Sequence, residues 1–222
     1  MKKPIGIFGG TFDPIHLGHI QLAKEIYRLY HFQEIRFVPC HQNSLKNQPM
    51  ATAAQRLDMV KLAIEDIPGL IADEREVIQG GPSYTIDTVR ELRNEIGNQS
   101  LCLIMATDTF AGLPLWKQWQ QLVNYAHFLV GYRPGFTYQQ SPELSNLLKT
   151  YQANDIHEIY QMPAGRILFL DLPELFNVAA TDVRALLLHG KNPKDMLPKK
   201  VQQYIEQHHL YSLLPRGLPR ER

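Results

Sequence analysis

The chain has 222 residues, of which 44% are hydrophobic and 20% charged, and its formal net charge is +1 at pH 7. These values are typical of a globular protein with a substantial core, and they exclude the broad basic surface of a nucleic-acid-binding protein. No apolar run is long enough to cross a bilayer, and an early proline and several glycines interrupt the stretch that faintly resembles a secretion signal. Cys40 and Cys102 have no metal-ligand or disulfide spacing, so we expect reduced thiols and a cytoplasmic location.

Short apolar runs alternate with segments of helical periodicity along the chain. The predicted strands are residues 4–8, 35–39, 71–78, 101–105, 128–132 and 167–170. The predicted helices are residues 17–30, 52–67, 86–96, a segment around Trp116 and Trp119, 181–189 and 197–209. Thr85 and Thr181 are candidate N-caps, and Gly97 and Gly190 are placed to end their helices.

The alternation of strands and helices predicts an α/β fold, a doubly wound parallel sheet with helices on both faces. Residues 136–162 are rich in Ser, Gln and Asn, so we expect a surface excursion with one or two short helices. Residues 1–212 are predicted to form a single domain, and residues 213–222, which have little apolar surface to pack, a mobile tail.

A glycine turn between the first strand and the first helix has the sequence Gly9-Gly10-Thr11-Phe12-Asp13-Pro14-Ile15-His16-Leu17-Gly18-His19. Adjacent glycines let the backbone approach a ligand, and the N–H groups at a helix start favour an anion. His16 and His19 are three residues apart, so both rings can donate hydrogen bonds to a phosphate at the first helical turn. Two ordinary capping histidines are the alternative, but the strand–turn–helix context favours a phosphate site.

This stretch resembles the GTFDPxHxGH motif of the HxGH nucleotidylyltransferase superfamily, which has a Rossmann-like fold. The resemblance implies that His16 and His19 contact the triphosphate of ATP and stabilise charge as pyrophosphate leaves. It also implies that the surrounding turn binds ATP, through Gly9, Gly10, Thr11, Phe12 and Gly18.

Residues 179–184, with the sequence Ala-Ala-Thr-Asp-Val-Arg, open the predicted helix 181–189. A threonine, helix N–H groups and a guanidinium together suit a polyphosphate, although an ordinary cap beside a solvated arginine fits equally well. The segment resembles the superfamily's ISSTxIR motif, which binds the ATP phosphates. Thr181 and Arg184 match that motif, whereas Ala179 and Ala180 replace two serines and leave only their backbone donors.

The other segments are similar to the nicotinate-nucleotide adenylyltransferase family over residues 4–210. Residues 82–88 resemble its (S/P)xYTxxT segment, which implies that Tyr84 and Thr85 lie at the nicotinate carboxylate. Trp116 follows Leu-Pro, as in the family's LPxW stretch, where the tryptophan stacks on the pyridine ring; a core aromatic is the alternative. Arg133 matches an RPG segment and could hold the mononucleotide phosphate.

Two further segments depart from this family. Residues 105–108 resemble (I/V)GxD, with Ala106 in place of the glycine beside ATP. Asp108 is retained, which implies that it binds ATP through a ribose hydroxyl or binds a hydroxyl of the mononucleotide. The PPHK loop is represented by residues 43–46, which keep Lys46 as a substrate-binding lysine but lose the prolines and the histidine.

The resemblance implies adenylyl transfer from ATP to nicotinate mononucleotide, giving nicotinate adenine dinucleotide and pyrophosphate in NAD biosynthesis. His16, His19 and Arg184 are the implied catalytic residues, and Mg²⁺ is expected to bind through the ATP phosphates rather than to a side-chain site. The expected partners are these two small molecules, without nucleic acid or membrane, and the oligomeric state is left open, a homodimer included. The alternatives are a non-catalytic nucleotide sensor and an adenylyltransferase for nicotinamide mononucleotide or phosphopantetheine; length and charge disfavour a tRNA-charging fragment.

Overall fold

The structure, a computed structural model, describes residues 2–43, 45, 48–132, 141–170, 172, 178–193 and 195–212. Lys46, Arg133 and the predicted tail 213–222 lie outside the described residues. In the part of the chain that the structure describes, no helix is long and apolar enough to cross a membrane.

The strands are β1 (Ile5–Gly10), β2 (Glu34–Pro39), β3 (Gln42–Asn43), β4 (Leu70–Ala72), β5 (Pro82–Ser83), β6 (Leu101–Ala106), β7 (His127–Gly131) and β8 (Ile167–Leu170). The helices are α1 (Leu17–Leu29), α2 (Ala53–Ile64), α3 (Arg75–Gln79), α4 (Thr85–Ile96), α5 (Thr107–Ala111), α6 (Trp119–Leu122), α7 (Pro142–Tyr151), α8 (Ile156–Gln161), α9 (Ala180–Leu188) and α10 (Lys199–Gln207), with a 3₁₀ turn at Leu113–Leu115.

Among the described residues, six strands form one sheet in the order β4-β2-β1-β6-β7-β8, and every neighbouring pair is parallel. The short strands β3 and β5 pair separately. The predicted α/β doubly wound sheet is therefore confirmed. Strand order reverses between β1 and β6, and open α/β sheets bind ligands at the carboxyl ends of strands at such a point.

The core consists of two hydrophobic clusters on opposite faces of the sheet, because successive side chains of a strand point to opposite sides. In β1, Ile5 and Ile7 join one cluster and Phe8 joins the other. The cluster that contains Phe8 is covered by α1, α2 and α10, and the other by α4, α5 and α7. This arrangement places β1 at the centre of the molecule and its carboxyl end under the cleft described below.

Two predicted elements differ from the structure. The strand expected over residues 71–78 is only β4, and the helix α3 follows it. Its apolar residues are not all buried, since Ile78 is 72% exposed, so their spacing does not report a buried strand face. Trp116 follows the 3₁₀ turn and lies outside a helix, while Trp119 begins α6.

Both predicted N-caps are wrong by one or two residues. Tyr84 is the N-cap of α4 and Thr85 is its first residue, whereas Ala179 is the N-cap of α9 and Thr181 is its second residue. The glycines are as expected: Gly97 has φ of +61° at the end of α4, a left-handed conformation that favours glycine.

Residues 142–161 form α7 and α8, which confirms short helices in the Ser- and Gln-rich segment. The expectation of a surface excursion is wrong for α7, because Leu144, Leu147 and Leu148 are buried in the second core cluster. Both cysteines are free and buried, and burial raises the pKa of the Cys102 thiol to about 12, which makes it unreactive.

Candidate active site

A cleft of about 850 Å³ opens at the carboxyl ends of β1 and β6, where the strand order reverses. Every residue that the sequence analysis assigns to ATP lines this cleft: Gly9, Gly10, Thr11, Phe12, His16, Gly18, His19, Ala106, Asp108, Thr181 and Arg184. A Cβ built on Gly9 meets nothing within 4 Å, and one built on Gly10 would lie 3.0 Å from the Phe12 ring. Gly9 therefore leaves open space beside the backbone, and Gly10 allows Phe12 to fold beneath it.

The two histidines form one stacked pair at the start of α1. Their ring centroids are 3.6 Å apart, and the ring planes differ by 25°. The backbone N–H of His16, the N-cap residue, donates to Nδ1 of His19 over 3.3 Å. Because Nδ1 of His19 accepts, the neutral ring carries its proton on Nε2, which can donate to an anion.

Two buried aromatic rings pack against His19 of the histidine pair. The Phe12 ring contacts His19 edge to face with centroids 5.1 Å apart, and the Phe8 ring does so at 5.8 Å. Phe12 is 3% exposed and has a left-handed φ of +50°, which turns the chain sharply after β1. The His19 ring is thus held from two sides and is ordered before a ligand binds.

Two helix N-termini meet at this cleft, since residues of the first turns of α1 and α9 both line it. The first N–H groups of a helix have no partner within the helix and carry the positive end of its dipole. No side chain of the described residues caps α9. The serine-to-alanine replacements at Ala179 and Ala180 thus remove hydroxyls but leave these backbone donors available to phosphate oxygens.

Arg184 lies in α9, 171 residues along the chain from the glycine turn, and it reaches that turn directly. Its Nη1 donates to the backbone carbonyl of Asp13 over 2.6 Å and lies 3.9 Å from the Asp13 carboxylate. The Arg184 side chain is 25% exposed and lines the cleft together with the histidines. A fork of N–H donors therefore faces the same space as the imidazoles, which suits a polyphosphate.

A buried arginine that the sequence analysis does not single out ties the loops around the cleft together. Arg56 is 1% exposed and donates to the backbone carbonyls of Thr11 (2.6 Å), His41 (2.8 Å) and Ala51 (3.3 Å). These carbonyls belong to the loop after β1, the loop after β2 and the entry to α2. One guanidinium thus fixes three segments around the cleft.

Replacing Arg56 by methionine should lower the free energy of unfolding by about 3 kcal/mol, because buried carbonyls lose their donors. The same substitution at Arg28, which is 66% exposed and forms an ion pair with Glu25, should change the free energy of unfolding by less than about 0.5 kcal/mol. Urea unfolding of both variants measures this difference. Equal stabilities for the two variants would contradict the role given to Arg56.

The residues assigned to the mononucleotide lie partly elsewhere. Asp108 lines the cleft, and its Oδ1 accepts the N–H of Thr109 over 2.8 Å. Tyr84 and Trp116 are half-buried against the second core cluster and, like Thr85, are not among the described residues that line the cleft.

The segment that carries Tyr84 and Thr85 is anchored beneath by a buried carboxylate. Glu76 is 8% exposed and accepts from Thr88 Oγ1 over 2.5 Å, and burial raises the pKa of its carboxyl group. Ser83 Oγ accepts the N–H of His41 over 2.9 Å, which joins this segment to the loop after β2. The start of α4 is therefore connected to the same loop that Arg56 holds.

Sequence reasoning missed Asp13, Arg56 and Tyr211 as parts of this site. Arg56 left one signal, since it falls on the buried face of α2 at helical spacing from Val60 and Ala63. Asp13 is part of the glycine turn between β1 and α1, but the motif by itself does not indicate what its carboxylate does. Tyr211 gave no local signal, because its partner Asp13 is 198 residues away.

A parallel α/β sheet with a cleft at its strand-order reversal, two helix N-termini and convergent imidazole and guanidinium groups defines a nucleotide-binding protein of the Rossmann-like class. The model of the cytidylyltransferase-like family matches residues 7–186. The "probable nicotinate-nucleotide adenylyltransferase" of Aeromonas hydrophila is 42% identical over 212 residues, which cover 95% of this chain and 98% of the relative. The protein of the same name from Marinomonas sp. is 41% identical over 208 residues, covering 93% and 94%.

Among solved structures, Plasmodium falciparum nicotinic acid mononucleotide adenylyltransferase in complex with NaAD has a TM-score of 0.72 at 19% identity, covering 94% of this chain and 97% of that one. This likeness supports the fold. The chain belongs to the cytidylyltransferase-like family and, within it, to the nicotinate-nucleotide adenylyltransferases. The family indicated by the sequence motifs is therefore confirmed.

Proposed function

We propose that this chain transfers the adenylyl group of ATP to nicotinate mononucleotide, giving nicotinate adenine dinucleotide and pyrophosphate. The observation that carries the proposal is the convergence of the His16–His19 pair and Arg184 on one cleft at the strand-order reversal. This convergence supports a shared role for the two motifs, because they lie far apart in the sequence. The identity of about 40% to adenylyltransferases of this specificity supports the same reaction.

The reaction needs no nucleophilic side chain. A phosphate oxygen of the mononucleotide attacks the α-phosphorus of ATP, one P–O bond forms, and the bond to the β-phosphate oxygen breaks as pyrophosphate departs. Catalysis then consists of positioning the two phosphates and stabilising the charge that develops on the leaving group. Nε2 of His19, the Arg184 guanidinium and the N–H groups at the starts of α1 and α9 are the donors that we assign to this task.

The acceptor is assigned to the side of the cleft bounded by Asp108. In this proposal Asp108 accepts a ribose hydroxyl, the start of α4 at Thr85 favours the nicotinate carboxylate, and Trp116 provides a flat apolar surface for the pyridine ring. Lys46 and Arg133 are proposed to bind its phosphate from segments outside the described residues.

Mg²⁺ is the divalent ion that we propose for the reaction. Within the described residues no group of three or more His, Cys, Asp or Glu side chains could hold a metal ion, so phosphate oxygens and water would supply most ligands. When bound with ATP, Mg²⁺ neutralises phosphate charge. The need for ATP and the two buried free thiols support a cytoplasmic location.

A coupled assay of pyrophosphate release tests the proposal directly. The purified chain, ATP and Mg²⁺ are combined with nicotinate mononucleotide, nicotinamide mononucleotide or phosphopantetheine in separate reactions. We expect release with the acid mononucleotide, much slower release with the amide, and none with phosphopantetheine, because the helix start at Thr85 favours an anion. ATP binding without release in any of the three would instead identify a nucleotide sensor.

A further inference from the structure

The carboxylate of Asp13 joins the cleft to the end of the described chain. Asp13 is 5% exposed, and its Oδ1 accepts from the hydroxyl of Tyr211 over 2.8 Å and from the N–H of Ala51 over 3.1 Å. Its Oδ2 accepts from the N–H of Met50 over 3.0 Å and faces Arg184 at 3.9 Å. Four groups from three distant parts of the chain therefore meet at one buried side chain.

Tyr211 follows α10 and is itself buried, at 4% exposure, in the larger core cluster. Its backbone has a left-handed φ of +56°, a turn conformation, shortly after the end of α10. Burial and the adjacent Asp13 carboxylate raise the pKa of the Tyr211 hydroxyl, so it remains a proton donor at neutral pH. A tyrosine buried in this way fixes the Asp13 side chain in one orientation.

Arg184 depends on Asp13 for its own direction. One guanidinium nitrogen donates to the Asp13 carbonyl, and the same nitrogen is the one that lies near Oδ2. Arg184 lines the cleft together with His16 and His19. A rotation of the Asp13 carboxylate would break its 3.9 Å ion pair with Arg184 and the hydrogen bond that it accepts from the N–H of Met50. The bond from Arg184 to the Asp13 carbonyl would remain, and the guanidinium could pivot about it.

We propose that Tyr211 is a positioning residue for adenylyl transfer: its hydroxyl fixes the Asp13 carboxylate, which directs the Arg184 guanidinium into the phosphate site. This inference rests on the proposed function, since Arg184 is the group through which Tyr211 acts. The alternative is that the Tyr211–Asp13 hydrogen bond only stabilises the fold. The two differ in whether the effect of losing the hydroxyl depends on Arg184.

The test compares Tyr211→Phe with Tyr204→Phe as a matched control. Tyr204, on α10, also donates its hydroxyl to an aspartate, Asp58, over 2.9 Å, but on the exposed surface. We expect Tyr211→Phe to raise the KM for ATP and the ATP dissociation constant about tenfold, because the lost bond is to a charged acceptor, and to leave the KM for the mononucleotide unchanged. Tyr204→Phe should leave all three within twofold of the unmodified protein.

A double-mutant cycle with Arg184→Met decides the mechanism. In the Arg184→Met background we expect Tyr211→Phe to change ATP affinity by less than about twofold, since the group that it positions is already gone. Equal effects in both backgrounds would overturn the proposal, as would a Tyr211→Phe protein with a lowered Tm but unchanged ATP affinity. A Tyr211→Phe protein that does not fold at all would also overturn the proposal, because the hydroxyl would then be required for folding rather than for positioning Arg184.

ATP affinity is measured by calorimetry without an acceptor, so the inference and the proposed function can fail separately. If the unmodified protein binds ATP but releases no pyrophosphate, the proposed function fails, while the calorimetric cycle still reports whether Tyr211 acts through Arg184. If pyrophosphate is released normally and Tyr211→Phe resembles Tyr204→Phe, only the inference fails.

Discussion

Replacing His19 by alanine is expected to lower kcat for pyrophosphate release by about 100- to 1,000-fold, the usual effect of removing one donor that acts on developing charge. Nε2 of His19 is the donor lost, and its interaction strengthens as the leaving pyrophosphate gains charge, so kcat should fall more than KM rises. The protein should remain folded, because His19 is only half-buried and the hydrogen bond that its Nδ1 accepts from the N–H of His16 is a weak one, 3.3 Å long.

His157→Ala is the control for this substitution, since His157 is an exposed histidine on α8, outside the residues that line the cleft. Steady-state kinetics and thermal unfolding of both variants provide the comparison. A His19→Ala protein that turns over within threefold of the unmodified chain would show that the imidazole is not a catalytic residue. A loss of activity matched by loss of the folded state would assign His19 a structural role only.

Replacing Arg184 by methionine is expected to raise the KM for ATP about tenfold and to lower kcat about 100-fold, which together correspond to about 4 kcal/mol of transition-state stabilisation. Methionine keeps the apolar length of the side chain but removes the fork of donors that faces the phosphate site. Arg184→Lys should recover part of the KM effect and little of kcat, because an ammonium supplies charge without the planar fork.

Arg166→Met serves as the control, because Arg166 has a similar side-chain exposure of 30% and pairs with Glu158, away from the cleft. We expect its kinetics to match those of the unmodified protein. An Arg184→Met protein with unchanged kcat and KM would contradict the assignment of Arg184 to the triphosphate.

The sheet could be predicted because its central strands are buried on both faces and therefore appear as continuous apolar runs. β1, β6 and β7 lie within two residues of their predicted limits. The strand predicted over 71–78 was wrong because only residues 71 and 72 belong to the edge strand β4, whereas residues 75–78 lie in α3, and the apolar residues of the segment are not buried together. Sequence spacing cannot distinguish an exposed isoleucine such as Ile78 from a buried one.

The helix limits were predicted less well than the sheet. Thr85 and Thr181 were favoured as N-caps because threonine is a good cap, yet α4 and α9 begin earlier, at positions where no side chain of the described residues caps the helix. In α9 this leaves the first N–H groups for a ligand. A local preference can therefore be overridden where the start of a helix belongs to a binding site.

The sequence motifs predict which residues line the candidate site. Each predicted ATP residue lines one cleft, because the strand ends and helix starts that carry them meet at the strand-order reversal. The residues that hold those groups in place could not be predicted, since Arg56 and Tyr211 act on backbone and side-chain groups far away in the chain. Such contacts are created by the tertiary fold and leave no spacing in the sequence.

Ala106 stands where the family's (I/V)GxD segment has glycine, and ordinary backbone geometry allows this replacement. Ala106 has φ of −88° and ψ of 163°, a conformation open to any L-residue, so no glycine is required there. It ends β6 and lines the cleft with a single methyl group. Compared with a glycine, the alanine therefore adds one methyl group to the cleft wall and removes no hydrogen-bond donor.

The central claim is that one nucleoside triphosphate bridges the histidine pair and Arg184 within the 850 Å³ cleft. The measurement that tests it most directly is a crystal structure of the protein with Mg²⁺ and a non-hydrolysable ATP analogue. We expect triphosphate oxygens within about 3.5 Å of both Nε2 of His19 and the Arg184 guanidinium. A triphosphate bound outside this cleft, or one that contacts neither group, would contradict the claim.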